Sequence, residues 1–189
     1  MRGTPRPGQI PRSLALTLLV SLGVGLAGAW WSAWQSGLPD VPMATSTGKS
    51  FAWSDLDGRW GLVYFGYRGC PSACPTALSG LAKEIRALGP QEARVQVVMI
   101  SVDPERDTPA RLGAYVRYFH PRFIGVQVPD ARDLTLVCKA FGAAFAAPAT
   151  AGGEIEHALD VFLIDPRGRL RGRLSPPFVP GEVAKALRG

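Results

Sequence analysis

The hydrophobic pattern begins with one long uncharged stretch near the N-terminus. No residue between positions 13 and 39 is charged, and residues 14–34 are almost all apolar or small. Twenty helical residues rise about 30 Å, which is enough to cross the hydrocarbon core of a bilayer. The pattern therefore predicts a single transmembrane anchor. A cleaved signal peptide is the alternative, because residues 27–29 (Ala-Gly-Ala) form an acceptable cleavage site, but the apolar stretch is longer than a signal peptide needs.

The charges that flank this stretch predict its orientation. Arg2, Arg6 and Arg12 precede it without any acidic residue, so residues 1–13 should stay in the cytoplasm. The rest of the chain then lies on the outer side of the cell membrane. Residues 35–49, rich in Pro, Ser, Thr and Gly, are predicted to be a linker with little structure.

Beyond residue 50, apolar runs of strand length alternate with segments of helical spacing. The pattern predicts strands at 51–53, 60–65, 95–102, 123–128, 158–164 and 170–174, and helices at 76–88, 108–119, 130–141 and 181–187. Strands that alternate with helices and end in a hairpin indicate one α/β domain, residues 50–189, in the order of a thioredoxin-like fold.

Composition and charge change this picture little. The net charge of +6 includes the three arginines before the apolar stretch, and the remainder has 18 Lys/Arg against 15 Asp/Glu. No cluster of basic residues alternates with aromatic residues, so nucleic acid is not an expected partner.

The candidate chemistry lies where the strand 60–65 ends. A glycine-bearing loop carries Cys70, and Cys74 follows at the start of a helix. The amide groups and dipole of that helix should lower the thiol pKa and favour the thiolate, which both metal binding and disulfide exchange require. A purely structural disulfide here would close a very small loop and stabilise little. We therefore interpret the pair as functional.

Three separated motifs resemble the Sco/SenC family of copper chaperones for cytochrome c oxidase. The first is Phe-Gly-Tyr followed by Cys-Pro-x-x-Cys-Pro, at residues 65–75. The second, at 100–125, contains Asp-Pro-Glu-Arg-Asp-Thr-Pro. The third is Glu156-His157 before a strand that ends in Leu-Ile-Asp-Pro-x-Gly at 163–168.

The resemblance implies a thioredoxin-like fold and a copper site with Cys70, Cys74 and His157 as ligands. Soft thiolates select Cu(I), and an imidazole suits both Cu(I) and Cu(II). It also implies an assembly factor, a metallochaperone rather than an enzyme, that delivers copper to cytochrome c oxidase subunit II or prepares its copper site. The implied partners are that subunit, a copper donor, a thiol-disulfide reductant and the membrane.

One enzymatic alternative uses the same residues. A membrane-anchored thiol-disulfide oxidoreductase would employ Cys70 and Cys74 as its redox pair and would not need His157. Outside the cytoplasm the two cysteines should tend to form a disulfide, so the resting protein is expected to be bridged and metal-free. A peroxidase of the peroxiredoxin type is not favoured, because the chain has no Pro-x-x-x-Thr-x-x-Cys arrangement around its cysteines.

Other reactive residues have simpler explanations. We expect packing or capping for His120 at a helix end, a buried apolar role for Cys138, and a turn at Asp103, which the resemblance places near the site. Two residues depart from the family pattern inside the first motif, and they should affect copper affinity or redox balance: Gly69 and Ser72.

Overall fold

The computed structural model describes residues 37–146 and 153–188. The predicted anchor, residues 14–34, and the basic segment before it lie outside these residues. Among the helices that the structure describes, none combines the length and apolar character that a membrane crossing requires.

A six-stranded mixed sheet forms the centre of the domain, in the order β1-β4-β3-β2-β7-β8. These strands are β1 (Ala44–Thr45), β2 (Trp60–Gly66), β3 (Val95–Ser101), β4 (Ile124–Gln127), β7 (Val161–Ile164) and β8 (Leu170–Leu174). Strands β2, β3 and β4 run parallel, while β1, β7 and β8 are antiparallel to their neighbours. A separate two-stranded ribbon pairs β5 (Phe145–Ala146) with β6 (Glu156–His157).

The hydrophobic pattern explains which strands are central. All seven residues of β3 are buried, as expected for a parallel strand covered on both faces. Six of the seven residues of β2 are buried as well. Strand β8 has arginines at alternate positions and is mostly exposed, which suits its place at the edge of the sheet.

Within residues 37–146 and 153–188, four α-helices pack around this sheet, and their ends follow the sequence signals. They are α1 (Ala73–Ala87), α2 (Pro109–Phe119), α3 (Ala131–Phe141) and α4 (Glu182–Ala186). Proline stands at the start of α2, and the Asp130 carboxylate caps α3 by accepting from the N–H groups of Arg132 and Asp133. Gly89, with φ of +56°, follows α1.

The two faces of β2 contact different parts of the domain. Phe65 points to an aromatic cluster, with ring centroids 5.3 Å from Phe141 and 5.7 Å from Phe162. Tyr64, the preceding residue, points to the other face, because side chains alternate along a strand. The site described below lies on the Tyr64 side.

Most predicted elements are present, with ends shifted by up to three residues, but two predictions were wrong. Residues 51–53 do not form a strand; a 3-10 helix, Trp53–Leu56, begins there instead. The Asp55 carboxylate accepts from the N–H of Ala52 at 2.9 Å and turns the chain. A single side-chain contact of this kind overrides the apolar character of the segment.

The predicted linker, residues 35–49, is also not a simple tether. Leu38 and Met43 are buried in the core, and β1 pairs with β4. The domain therefore begins before residue 50. Composition predicted a linker because small and polar residues surround the few apolar side chains that anchor the segment.

Candidate metal centre

The two cysteines lie at the carboxyl end of β2, where the loop turns into α1. Cys74 is the second residue of α1, as the sequence predicted for a helix start. Its backbone N–H donates to the sulfur of Cys70 at 3.3 Å. An otherwise free amide of the first helical turn therefore holds the Cys70 sulfur beside the helix.

His157 reaches the cysteines from the small ribbon. Its strand, β6, pairs with β5, where His157 lies opposite Phe145. The Nε2 atom of His157 is 3.4 Å from the Cys74 sulfur. The structure thus brings together all three residues that the resemblance implied, and the ribbon that does so was not predicted.

Two tyrosines pack edge-on against the His157 ring. The ring centroids of Tyr64 and Tyr67 lie 6.1 Å and 5.7 Å from it, at interplanar angles of 84° and 89°. Edge-to-face packing of this kind restricts rotation of the imidazole. This packing therefore holds the histidine in its orientation.

A hydrogen bond selects the tautomer of His157. The Nδ1 atom is 3.0 Å from the carbonyl oxygen of Ala158, which can only accept. Nδ1 must therefore carry the proton, which leaves the lone pair of Nε2 directed at Cys74. A backbone carbonyl bonded to Nδ1 is a common way to orient a metal-binding histidine.

The geometry of the three donor atoms fits a small soft metal ion. The two sulfurs and the ring nitrogen all lie within 4.8 Å of one another. Metal–sulfur and metal–nitrogen bonds of roughly 2.3 and 2.0 Å would place such donors about 3.7–4 Å apart. Small side-chain movements would close the site, and two thiolates with one imidazole form a donor set suited to copper.

The burial of Cys74 contradicts one prediction. We expected the helix start to lower its pKa, but burial raises the pKa of the Cys74 thiol to about 12. The side chain has no exposed surface, so desolvation of the thiolate outweighs the helix dipole. Cys74 is therefore a thiol, and its S–H group donates to the Nε2 of His157.

A buried carboxylate fixes the loop that carries Cys70. Asp107 is 1% exposed and accepts from the backbone N–H of Arg68 and from the hydroxyl of Ser101, both at 2.9 Å. The Nε of Arg68 lies 3.6 Å from the same carboxylate. Burial raises the pKa of Asp107, and these hydrogen bonds oppose that shift. Asp107 therefore links the end of β3 to the cysteine loop.

Glycine at position 66 permits the close approach of the groups around Cys74. A Cβ at Gly66 would lie 2.9 Å from the Cys74 sulfur and 2.7 Å from a ring carbon of Tyr64. The Cε of Met99 would be 3.3 Å away. The Phe-Gly-Tyr motif thus has a steric reason at its central residue.

The remaining candidates behave as the sequence indicated. Asp103 forms a turn after β3 and pairs with Arg106 at 2.8 Å. His120 is buried at the end of α2 with Nε2 3.4 Å from Glu92, and burial lowers its pKa. Cys138 is buried on α3, where burial raises the pKa of its thiol to about 12.

Sequence reasoning missed the tyrosines. Tyr64 lies directly before the first motif and Tyr67 lies within it, one on each side of Gly66, yet aromatic residues in a strand usually indicate only packing. Their position within three to ten residues of both cysteines was the available signal. The pairing of Tyr67 with a residue 88 positions later could not be derived from it.

Comparison with known proteins matches this chain to a known family. The SCO1/SenC family model matches residues 42–189. A putative copper-binding protein from Stutzerimonas stutzeri is 33% identical over 145 residues, which cover 75% of this chain and 70% of that protein. The mitochondrial SCO2 homolog of Bos taurus is 30% identical over 190 residues, which cover 88% of this chain and 70% of that protein.

Solved structures show the same architecture. Copper-bound ScoI from Bradyrhizobium japonicum is similar with a TM-score of 0.70 and 30% identity, over 80% of this chain and 98% of that one. Copper-bound yeast Sco1 is similar with a TM-score of 0.69 and 25% identity, over 79% of this chain and 87% of that one. The fold is thioredoxin-like, and the chain belongs to the SCO1/SenC family.

Proposed function

We propose that this chain is a copper-binding assembly factor that delivers copper to cytochrome c oxidase subunit II, or prepares the copper site of that subunit. Cys70, Cys74 and His157 hold the ion. One observation carries the proposal: residues 83 positions apart place two sulfurs and an imidazole nitrogen within 4.8 Å. The similarity to copper-bound Sco structures supports copper as the metal.

The cysteines and the histidine contribute to copper binding in different ways. Copper enters as the cargo and is bound by thiolates, so the protons of both thiols must leave. Because the pKa of Cys74 is high, this thiol keeps its proton near neutral pH. It would lose the proton only when a metal ion binds the sulfur. The hydrogen bond between Nδ1 of His157 and the Ala158 carbonyl oxygen already directs Nε2 towards Cys74.

Copper titration of the reduced full chain tests the ligand set. We expect one copper per protein, with an intense thiolate-to-copper charge-transfer band in the Cu(II) form. Cys70→Ser and Cys74→Ser should abolish that band, and His157→Ala should weaken binding and shift the band. Cys138→Ala is the matched control, because Cys138 is equally buried but lies outside the group of three. An unchanged band in Cys70→Ser would place the copper elsewhere.

A thiol-disulfide oxidoreductase is the second candidate, and the distance between the two sulfurs supports it. Cys70 and Cys74 are free, and their sulfurs lie within 4.8 Å of each other, so small side-chain rotations would allow a disulfide to form. Such an enzyme would act on the cysteines of a copper-receiving subunit. Reduction of a disulfide substrate by His157→Ala at the wild-type rate, together with absent copper binding by wild type, would favour this alternative.

For the cellular setting, we propose a single-pass anchor at residues 14–34. Residues 1–13 then lie in the cytoplasm and the domain lies outside it. The support is the uncharged apolar stretch and the three arginines before it. A reporter that is active only outside the cytoplasm, fused after Gly189, should be active; activity of a cytoplasmic reporter at that point would reverse the topology.

Delivery implies partners of defined chemistry. A copper donor must supply the ion, a thiol-disulfide reductant must keep Cys70 and Cys74 as thiols, and the oxidase subunit must receive the ion. Deletion in the source organism should lower cytochrome c oxidase activity. Added copper that restores this activity would support delivery, whereas normal activity after deletion would contradict the proposed role.

A further inference from the structure

A dense group of arginines lies on the hairpin of β7 and β8. Four arginines stand at alternate positions between residues 167 and 173, and all four are exposed. We call them the arginine edge: Arg167, Arg169, Arg171 and Arg173. The same hairpin, residues 160–175, has two carboxylates, Asp160 and Asp165, and therefore carries two positive charges in excess.

The two carboxylates lie deeper than the arginines. The side chains of Asp165 and Asp160 are 7% and 23% exposed, whereas the three arginines that contact them are 48%, 45% and 64% exposed. Arg169 lies 2.8 Å from Asp165, and Arg173 lies 3.3 Å from Asp160. A guanidinium has more N–H donors than one carboxylate contact uses, so each arginine is held in place and keeps donors for an external anion.

The groups next to the hairpin leave positive charge in excess. Arg167 has no ion-pair partner among the described residues. A backbone hydrogen bond of 3.0 Å joins the hairpin to the turn at 57–59, which adds Asp57 and Arg59 with opposite charges. Asp55, before that turn, has a carboxylate that is already bonded to a backbone N–H.

An exposed sheet edge can bind a further strand, but β8 is poorly suited to that role. The pairing of β7 with β8 is irregular between Leu163 and Ile164, and Arg171 has no partner residue in the register. Bulges and charged side chains on an edge strand oppose pairing with another chain. The arginine edge is therefore suited to contacts through its side chains, and guanidinium groups recognise phosphate well.

The start of the domain lies on the same face of the sheet as Arg173. The indole N–H of Trp53 donates to the carbonyl oxygen of Pro39 at 2.9 Å. The Trp53 ring lies 5.4 Å from the ring of Phe141, which in turn lies 5.5 Å from the ring of Phe162. Phe162 is directly opposite Arg173 in the hairpin, so the two side chains share one face.

The proposed anchor would keep this part of the domain near the bilayer. The anchor ends at residue 34, and Leu38 is already buried in the core. Four residues of extended chain span at most about 14 Å. The domain therefore begins close to the lipid headgroups, and an anionic membrane surface attracts basic residues that lie near it.

We propose that the arginine edge is a membrane-docking surface that binds the phosphate groups of anionic lipids. This inference rests on the proposed anchor and adds an orientation of the domain to it. Ile164, next to the arginine edge, pairs with Gly61 near the start of β2, whereas the cysteines follow the other end of that strand. Docking through the arginine edge therefore leaves the metal site open to a protein partner.

The test uses the full chain, inserted through its anchor into nanodiscs of phosphatidylcholine alone or of phosphatidylcholine with phosphatidylglycerol. Hydrogen exchange of the backbone amides at 167–174, followed by mass spectrometry, reports contact with the lipid. We expect exchange to be roughly fivefold slower in the anionic discs. High salt should remove the difference, because it screens exposed charges.

Two matched variants locate the effect. Arg167→Gln/Arg171→Gln removes two guanidinium groups that make no carboxylate contact shorter than 4.0 Å, and it should exchange at the same rate in both kinds of disc. Arg111→Gln/Arg132→Gln removes the same charge from exposed positions on α2 and α3 and should behave as wild type. An equal loss of protection in both variants would contradict a specific role for the arginine edge.

The wild-type comparison decides the matter even if a variant folds poorly. Equal exchange in neutral and anionic discs would overturn the inference alone. Slower exchange in neutral discs after addition of inorganic phosphate would assign the arginine edge to a free anion and overturn the membrane assignment. A chain that does not enter the discs would instead overturn the proposed anchor, and the docking surface with it.

Discussion

The Tyr67 hydroxyl accepts a hydrogen bond from the backbone N–H of Ile155 at 3.1 Å, and so ties the cysteine loop to the residue directly before β6, the strand that carries His157. The two ends of the metal site, 83 residues apart in sequence, are thereby joined through one side chain. The same ring packs edge-on against His157. The position of the histidine is therefore coupled to the position of the cysteines.

Replacing Tyr67 should loosen that coupling. In Tyr67→Phe the buried N–H of Ile155 loses its partner, which should lower the free energy of unfolding by about 1–3 kcal/mol. Copper affinity should fall toward that of His157→Ala, because the histidine is no longer held in place. Urea unfolding and Cu(I) competition measure the two effects. Wild-type affinity would show that the pairing of β6 with β5 suffices to hold the ring.

Gly66→Ala should damage the site sterically. The new Cβ would come within 3 Å of both Tyr64 and the Cys74 sulfur, so one of them must move. Overpacking of this kind should lower the free energy of unfolding by about 1–3 kcal/mol and weaken copper binding. Gly172→Ala, on the edge strand β8, is the matched control, since nothing lies within 4 Å of its added Cβ. Equal effects from the two variants would contradict the steric explanation.

Oxidation should gate copper binding. A sulfur engaged in a disulfide has no thiolate to offer, so the bridged Cys70–Cys74 form should bind copper far more weakly than the dithiol form. An incoming thiol should reach Cys70 first, because Cys70 is 7% exposed and Cys74 is fully buried. Parallel copper titrations of the two forms measure the difference. Similar affinities would mean that the cysteines are not ligands.

Asp165, in the turn between β7 and β8, should make the free energy of unfolding depend on pH. Burial alone would raise the pKa of Asp165, but hydrogen bonds from Arg169 and Arg167 outweigh it and hold that pKa below its ordinary value. Arg171 approaches the same carboxylate at 4.0 Å. A depressed pKa contributes stability above the unfolded value of about 4, and this contribution is lost as pH falls through the lower folded value.

The variant Asp165→Asn isolates this contribution. It should unfold about 1–2 kcal/mol more easily than wild type at pH 7, and the difference should shrink below pH 4. Urea titrations at several pH values measure it. The exposed Asp40 provides the control Asp40→Asn, which should change stability little. A difference between wild type and Asp165→Asn that persists at pH 2 would show that charge is not its cause.

Local signals in the sequence predicted the central strands and helices because their causes are local. The apolar run of β3, the proline that opens α2 and the carboxylate of Asp130 each act within a few residues. The strand predicted at residues 51–53 was wrong, and its cause is local too. The hydrogen bond from the Ala52 N–H to the Asp55 carboxylate favours a helical turn there, against the apolar pattern.

In the metal site, too, local features were predictable from the sequence and features that depend on distant residues were not. The helix start at Cys74 was predictable, whereas its pKa was not, because burial depends on residues distant in sequence. The proximity of His157 came from family resemblance, since no local pattern pairs residue 157 with residue 145. The roles of Tyr64 and Asp107 depend on contacts between separate strands and loops, which become visible only in the folded chain.

The three donor atoms differ in how deeply they lie. Cys74 is sealed in the core, Cys70 retains slight exposure, and His157 is only half-buried. If these three residues hold copper, a receiving protein would reach the ion from the side of His157 and Cys70. Ligands of the receiving protein would then displace these two residues before Cys74. The burial of the Cys74 sulfur would thus impose an order on the exchange.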